Sequence, residues 1–218
     1  ATDSGGTSKL AMNTTGTFLL DGLWHHVMFS FDINNAAKRS IYVDGSAAAA
    51  TWGTYTAATL DFASGNASLG ATTTGASKLN ADLADFWLDI GTYMDLSAAS
   101  NLAKFYNATN GAVYLGSDGS KPGSTVTSAQ SGLISWWKFD EGAGTSTADS
   151  AGSNTMTLTD PPTWTTGKLN GALQYNGIND FLSRGSDVLG TGAATISAWL
   201  YTLDYGGGSK GAILTNDN

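Results

Sequence analysis

The chain of 218 residues is 41% hydrophobic and 11% aromatic, so it has enough apolar side chains for a core and is not expected to be disordered. Its net charge is −8, and no cluster of Lys and Arg resembles the basic stripe of a nucleic-acid-binding protein. It has no cysteine, which excludes disulfide-rich and thiolate-metal classes, and no apolar run long enough for membrane insertion.

Short strands joined by tight turns are predicted along most of the chain, because Gly, Ala, Ser and Thr are abundant and charged residues are scarce. In the first part of the chain, strands are predicted at residues 24–32, 39–43 and 83–90. The best helical candidate is 97–106, in which Ser97 is an N-cap candidate and Leu102 and Tyr106 share a face. The pattern therefore predicts one short helix on a β scaffold.

A polar stretch rich in Gly, Ser and Pro occupies residues 116–131 and is the only stretch with the composition of a linker. Strand patterns resume after it, at residues 133–139, 169–175 and 194–203. The tryptophans inside strand patterns are expected in the core, with one of the adjacent pair facing out: Trp24, Trp87, Trp136, Trp137 and Trp199.

Five segments carry motifs that can be compared with a known family. Before the linker, residues 21–27 read DGLWHHV and residues 41–45 read IYVDG. After it, the segments 132–144, 167–177 and 195–200 read GLISWWKFDEGAG, GKLNGALQYNG and TISAWL. Together they resemble the laminin-G-like jelly rolls of the concanavalin A-like lectin/glucanase kind. The resemblance implies an all-β fold, a two-sheet antiparallel jelly-roll sandwich with one short helix.

The order of these segments departs from the family. Residues 1–117 resemble the C-terminal half of such a jelly roll, residues 118–131 form the linker, and residues 132–218 resemble the N-terminal half. Three explanations fit: a permuted single sandwich, a window across two consecutive domains, or an exchange of halves between subunits. Since half a sandwich would expose an apolar face and unpaired edges, each half needs a partner, and one sandwich within the chain is favoured.

A catalytic role is not predicted. Glucanases of this fold need two nearby carboxylates on a Glu-x-Asp-x-Glu strand, whereas Glu141 is the single glutamate here. Asp82 and Asp85 could replace such a pair only if they shared a face, and strand alternation places them on opposite sides. The adjacent His25 and His26 point to opposite faces of a strand, so they cannot bind one metal ion together. Their position in the family that the chain resembles implies that one is a buried core residue and the other a surface residue.

Calcium is the one ion that the resemblance implies, because family members often carry it. The candidate donors are Asn176, Asn179 and Asp180, whose oxygen atoms suit a hard cation. The alternative is a turn in which these side chains bond to their own backbone.

Aromatic residues outside the clear strand patterns are the candidate ligand-binding residues. Trp52, Tyr55, Trp164 and Tyr205 lie in stretches rich in Gly, Thr or Pro, where exposed rings can stack on sugar rings or cover a neighbouring subunit. The alternative is that they form a local lid over the sandwich edge.

These observations predict a non-catalytic structural or adhesion module of a virion or extracellular assembly, found outside the cell or on a virion surface. Residues 95–120 are similar to the closing segment of versions common in phage virion proteins. The expected partners are other copies of the chain or neighbouring subunits, and glycans in the alternative function, calcium-assisted carbohydrate binding. Since the chain starts at Ala1 without a leader, it is expected to be a mature product, a fragment or an expression product.

Overall fold

The computed structural model describes residues 7–14, 20–58, 66–71, 77–109, 111–116, 133–184, 192–204 and 211–217. Within these ranges the protein has one helix, α1 (Ala99–Leu102). No helix in the described residues is long and apolar enough to cross a membrane. The strands in chain order are β1 (Leu10–Thr14), β2 (His25–Asp32), β3 (Arg39–Val43), β4 (Ser46–Ala47), β5 (Ala50–Tyr55), β6 (Asn66–Leu69), β7 (Asn80–Ile90), β8 (Tyr106–Asn107), β9 (Gly111–Ala112), β10 (Leu133–Trp137), β11 (Ser146–Thr147), β12 (Met156–Thr159), β13 (Thr163–Thr166), β14 (Gly171–Asn176), β15 (Phe181–Arg184), β16 (Ala193–Thr202) and β17 (Leu214–Asp217).

Two sheets form the body of the protein. The larger has eight strands, with the order β13-β14-β7-β16-β2-β3-β4 and with β10 also paired to β7. The smaller has five strands in the order β11-β12-β15-β6-β17, and β1–β5 and β8–β9 form two-stranded ribbons. Every pairing among the described strands is antiparallel, so the predicted all-β sandwich is confirmed.

The 11 residues of β7 organise the larger sheet. Along one edge, β7 pairs with β14 through residues 80–83 and with β10 through residues 86–89. Along its other edge it pairs with β16. The strand is therefore paired along both edges, and nine of its 11 residues are buried, including three aspartates.

Strands from before and after the polar stretch share both sheets. In the larger sheet, β16 lies between β7 and β2; in the smaller, β6 lies between β15 and β17. Each half of the chain therefore supplies partners for the other within the same molecule. Residues 118–131 lie outside the described residues, and the division of the chain into permuted halves stays a prediction.

The main core lies between the two sheets. The larger sheet contributes Val27, Leu83, Phe86, Leu88, Ile196 and Leu200, and the smaller contributes Leu69, Met156, Leu158 and Leu182. Each is 5% exposed or less. At roughly 25 cal/mol per Å² of apolar surface, burial of these side chains is the main stabilising contribution to the fold.

The predicted helix was too long. It covers four residues rather than 97–106, and its N-cap is Ala98 rather than Ser97. The Ser97 hydroxyl instead donates to Asp95 Oδ1 at 2.7 Å. Phe105 lies beyond the end of the helix and is 1% exposed, with its ring packed edge-on against Trp87.

Gly70 provides a test of how tightly the core is packed. A Cβ atom at this position would lie 2.2 Å from Cε1 of Tyr175, and the φ of Gly70 is +91°. We expect Gly70→Ala to lower the free energy of unfolding by about 2–4 kcal/mol, measured by chemical denaturation. Gly53→Ala is the control, because nothing lies within 4 Å of its added Cβ. Equal effects of the two substitutions would contradict the packing described.

Candidate functional site

The face of the larger sheet that points away from the core, the outer face, is partly covered by the chain itself. This cover segment consists of residues 92–109 and 111–116. Its side chains pack on the sheet through Met94, Leu96, Phe105 and Leu115, which contact the cluster containing Met28, Trp87 and Trp136. The backbone N–H of Met94 donates to Ser30 Oγ at 2.9 Å, and Thr195 Oγ1 donates to the Thr92 carbonyl at 3.0 Å. The segment is thus anchored by both apolar contacts and hydrogen bonds.

The adjacent tryptophans of β10 show the effect of this cover. Trp137 packs in the core between the sheets, whereas Trp136 lies on the outer face, as expected for neighbours on a strand. The direction of Trp136 agrees with the sequence analysis, but its exposure does not. It is only 3% exposed, because the cover segment forms a third layer there.

A β-bulge in β7 determines which acidic side chains share a face. The register between β16 and β7 shifts between Ser197 and Trp199, so both Asp85 and Phe86 lie opposite Ala198. The φ of Asp85 is +49°, in the left-handed region. The expected alternation of β7 is therefore interrupted at this residue.

Because of the bulge, Asp82 and Asp85 both lie on the outer-face side, contrary to the prediction from strand alternation. Asp82 Oδ1 accepts a hydrogen bond from Gln174 Nε2 at 2.9 Å. Asp85 interacts with the outer-face residue Trp136. A bulge cannot be read from alternation alone, and since this strand carries three aspartates, its sequence does not mark Asp85 as the position of the bulge.

The three carboxyl groups of β7 are buried, with Asp82 8%, Asp85 6% and Asp89 0% exposed. Burial, together with the nearby charge of Asp140, raises the pKa of Asp85 to about 7. Burial raises the pKa of Asp89 to about 6. Neither oxygen of Asp89 has a hydrogen-bond partner of normal geometry among the described residues. Burial also raises the pKa of Asp82, which the hydrogen bond from Gln174 counteracts.

These groups do not provide the acid pair that glycoside hydrolysis requires. That reaction needs two carboxyl groups on either side of the substrate bond. Asp85 and Asp89 are shielded from any substrate in this conformation. The carboxylate of Glu141 accepts hydrogen bonds from the Ala148 N–H at 2.7 Å and the Thr147 hydroxyl at 3.1 Å, so it anchors a turn.

Replacing Asp89 by Asn tests the cost of its burial. The pKa of Asp89 is higher in the folded state, about 6, than its value of 3.8 in the unfolded chain. Its contribution to the stability of the folded state is therefore complete below pH 3.8 and is lost as the pH rises through about 6. We expect Asp89→Asn to leave stability nearly unchanged at pH 4 and to raise it by about 1–3 kcal/mol at pH 8, measured by urea denaturation. The exposed Asp204→Asn variant is the control, and a gain of the same size at both pH values would contradict the assignment.

His25 lies between two carboxylates at the end of β2. Its Nδ1 lies 2.6 Å from Asp44 Oδ2, and its Nε2 lies 3.1 Å from Asp21 Oδ1. Both ring nitrogens donate only in the protonated imidazolium. Burial lowers the pKa of His25, but the hydrogen bonds to Asp44 and Asp21 outweigh it, so the pKa is raised. At 5% exposure His25 is not a surface residue.

His26 is buried on the opposite side of the strand, at 2% exposure. Its Nε2 lies 2.8 Å from Ser197 Oγ, and its ring stacks on Tyr106 with centroids 5.6 Å apart. Burial lowers the pKa of His26 to about 3, so the ring is neutral. Ser197 is only 3% exposed, and Asp44 accepts from the backbone N–H of His26 at 2.8 Å. This serine–histidine pair is thus a buried contact without access for a substrate, and both histidines belong to the interior.

The two histidines are expected to titrate far apart. In an NMR titration, we expect His25 to titrate above 6.5 and His26 near 3. Asp21→Asn removes one of the two carboxylate charges beside the ring, so it is expected to lower the pKa of His25 and leave His26 unchanged. Since His25 has the raised pKa, its contribution to stability is complete below pH 6.5 and is lost as the pH rises through its folded pKa. Two titrations that both lie near 6.5 would contradict the burial and pairing described.

The predicted calcium donors come together in one turn between β14 and β15. Asp180 Oδ2 accepts from the Asn176 backbone N–H at 2.9 Å, and Asp180 Oδ1 accepts from Asn176 Nδ2 at 2.8 Å. Asn179 Oδ1 also accepts from Asn176 Nδ2, and Asn176 Oδ1 accepts from the Ile178 N–H at 2.7 Å. Each side-chain oxygen of these residues is already bonded within the turn, and an amide NH₂ group lies among them. These hydrogen bonds match the alternative of a turn whose side chains bond to their own backbone, and calcium binding stays a prediction.

Two of the four predicted ligand-binding residues lie together on β5. Trp52 and Tyr55 make an edge-to-face contact with ring centroids 5.6 Å apart, and the Arg39 guanidinium lies 5.2 Å from the Trp52 ring and 4.8 Å from the Tyr55 ring. Tyr55 also packs on the main core, and its hydroxyl donates to the Asp32 carbonyl at 2.5 Å. These contacts hold the two rings at the sandwich edge and leave Trp52 half-buried.

The other two predicted ligand-binding residues are not part of that cluster. Trp164 lies on β13, an edge strand of the larger sheet, and its Nε1 donates to the Gly144 carbonyl at 3.1 Å. It is partly buried against the core. Tyr205 lies outside the described residues. The structure therefore brings Trp52 and Tyr55 together and separates them from Trp164.

A second group of side chains lies in a line across the outer face, beyond the cover segment. We call Gln174, Asp82, Tyr201 and Trp24 the polar–aromatic row. Gln174 is paired with Asp82 across β14 and β7, Asp82 with Tyr201 across β7 and β16, and the rings of Tyr201 and Trp24 are 5.7 Å apart. Sequence reasoning missed this row because strand register brings its members together from four distant segments.

Comparison with known proteins agrees with the fold. Residues 1–88 match the family model of the concanavalin A-like lectin/glucanases superfamily. The resemblance inferred from the sequence motifs is thereby confirmed over these residues. No curated protein and no solved structure matches the chain.

Proposed function

We propose that this chain is a non-catalytic adhesion module of an extracellular or virion-surface assembly. The observation that carries the proposal is the burial of the acidic residues on β7, which removes Asp85 and Asp89 from contact with any substrate. What remains available for function is the surface of a rigid sandwich. A rigid scaffold with surface side chains is suited to binding.

The partners in this proposal are other copies of the chain or neighbouring subunits. The edge strands β4 and β13 of the larger sheet each have one unpaired side among the described strands, and both residues of β4 are exposed. An exposed edge of this kind can pair with a strand of another molecule. The short length of β4, two residues, limits such pairing to a small contact.

Carbohydrate binding is the second candidate function, and the partly buried pair Trp24 and Tyr201 at the outer face favours it. Aromatic rings with one free face and adjacent hydrogen-bonding groups are common in small-ligand sites. The calcium-assisted form of this function has no support from the Asn176 turn, whose oxygens are bonded within the turn.

The proposed function predicts adhesion without turnover. The intact chain is expected to self-associate in light scattering or to be retained on immobilised polysaccharides, and to release no reducing sugar from them. A chain that stays strictly monomeric and is retained on no polysaccharide would overturn the adhesion role. Glucan hydrolysis that is abolished by Glu141→Gln or Asp82→Asn would overturn the non-catalytic assignment.

A further inference from the structure

The carboxyl group of Asp89 lies beneath the cover segment and has no contact with solvent. Both of its oxygens are buried, and neither has a hydrogen-bond partner of normal geometry among the described residues. An ionised carboxylate in such a place costs far more free energy than a neutral carboxyl group, because nothing replaces the water that it loses. We infer that the cover segment is a lid whose closure over the sheet depends on protonation of Asp89.

Asp89 lies between two contacts that hold the cover segment on the sheet. On β16 it is paired with Thr195, whose Oγ1 accepts a hydrogen bond from the Met94 N–H at 3.2 Å. Two residues before Asp89 on β7, the ring of Trp87 packs edge-on against Phe105, with centroids 4.8 Å apart. A charge on Asp89 is therefore placed at the junction of the cover segment and the sheet, not in the main core between the sheets.

The attachment of the cover segment allows it to separate from the sheet. None of its described residues belongs to the hydrogen-bonded ladders of the two sheets, since β8 and β9 pair with each other. The segment begins after Gly91 and its described part ends at Gly116, and both glycines have a positive φ, +88° and +86°. Such positions at the ends of a segment can act as hinges. The cover segment can therefore open while both sheets stay paired.

Few charged groups act on Asp89 from the elements packed against it. Burial raises the pKa of Asp89 to about 6, although the side chain of Thr92 and the charge of Lys104 act to lower it from the cover segment. On β16 and β10, the residues paired with Asp89 are the uncharged Thr195 and Leu133. Protonation of Asp89 is thus controlled mainly by its burial under the closed cover segment.

Two other buried titratable groups lie near the cover segment. Asp85, four residues before Asp89 on β7, has a pKa raised to about 7 by burial and by the charge of Asp140. His26, whose ring stacks on Tyr106 in β8, is neutral above about pH 3 because burial lowers its pKa. Both groups are unchanged in a variant of Asp89, so comparison of that variant with the parent chain isolates the effect of Asp89.

Closure of the cover segment and protonation of Asp89 are thermodynamically linked. When the segment opens, the carboxyl group gains water and its pKa returns to the ordinary 3.8, whereas closure raises the pKa to about 6. The closed form is therefore favoured at acidic pH and loses this advantage as the pH rises through about 6. For these two pKa values, the equilibrium constant for opening increases roughly 50-fold between pH 4 and pH 8. Opening uncovers the apolar side chains Met28, Trp87 and Trp136.

Hydrogen exchange of the intact chain, followed residue by residue by NMR, tests the inference. The reporters are the amides of Met94, bonded to Ser30 Oγ at 2.9 Å, and of Phe105. We expect their protection factors, which correct for the intrinsic effect of pH on exchange, to fall roughly 50-fold from pH 4 to pH 8. Their exchange should also depend less on urea than that of the β16 amides, because opening exposes less surface than global unfolding.

Two variants should change the pH dependence in opposite directions. Asp89→Asn carries no charge at either pH, so it should remove most of the change in protection of the two reporter amides. Lys104→Gln removes a charge that favours the ionised form of Asp89, so it should enlarge the change, but only when Asp89 is present. Asp204→Asn, at an exposed position after β16, is the matched control and should exchange as the parent chain does.

Three exchange results would overturn the inference. The first is protection of the reporter amides that does not change with pH, and the second is a pH dependence that is the same in Asp89→Asn as in the parent chain. The third is exchange of the reporters at the rate and urea dependence of the β16 amides, which would mean that the cover segment leaves the sheet only on global unfolding.

The inference stays testable if Asp89→Asn folds poorly, because two measurements do not need this variant. Carbon-13 NMR of the parent chain reports the titration of the Asp89 carboxyl group directly, and we expect its midpoint near pH 6. Lys104→Gln is expected to move this midpoint upward. A midpoint near 3.8, or reporter amides that do not respond to Lys104→Gln, would overturn the inference.

Discussion

The structure depends on the insertion of β16 between β7 and β2. Eight residues of β16 pair with β2 and eight pair with β7, so one strand closes two hydrogen-bonded edges at once. Its side chains Ile196 and Leu200 point inward and complete the core. On the other face, Thr195 Oγ1 accepts a hydrogen bond from the backbone N–H of Met94, near the start of the cover segment. Without β16 the two neighbouring strands would present unpaired edges beside an apolar face, which water does not tolerate.

The outer face of the larger sheet is divided by what covers it. Where the cover segment lies, Trp87 and Trp136 are sealed and the acidic residues beneath them are held away from solvent. Where it ends, Trp24 and Tyr201 are only partly buried beside Asp82. A single segment therefore determines which part of the face is structural and which part is open to a partner.

Strand sequences with alternation or strong β propensity were predictable. The range 39–43 agrees with β3, and 24–32 and 194–203 agree with β2 and β16 to within one residue at each end. Local patterns could not show the bulge at Asp85, which depends on a pairing between residues more than 100 positions apart in sequence. For the same reason, the sequence analysis did not predict that both histidines are buried. The two carboxylates that contact His25, those of Asp44 and Asp21, lie in turns that meet this ring in the folded sheet.

The sequence did not show where its candidate ligand-binding aromatic residues would lie, and their role in binding stays a prediction. Aromatic side chains were expected at the surface, yet Trp52 and Tyr55 lie on a strand and are fixed by Arg39 rather than carried on a free loop. The row across the outer face joins residues from β7, β14 and β16, and only the register of three strands reveals it.

The central position of β16 also affects how the molecule is made. Its residues, 193–202, emerge from the ribosome after both of its sheet neighbours, β2 and β7, have been synthesised. Until then the larger sheet consists of two pieces whose facing edges are open, and the pairing that joins them spans most of the chain. Folding dominated by such distant contacts is slow, and the open edges are sites of aggregation in the nascent chain. Synthesis of this protein therefore passes through an interval in which most of the polypeptide exists but its largest sheet cannot yet close.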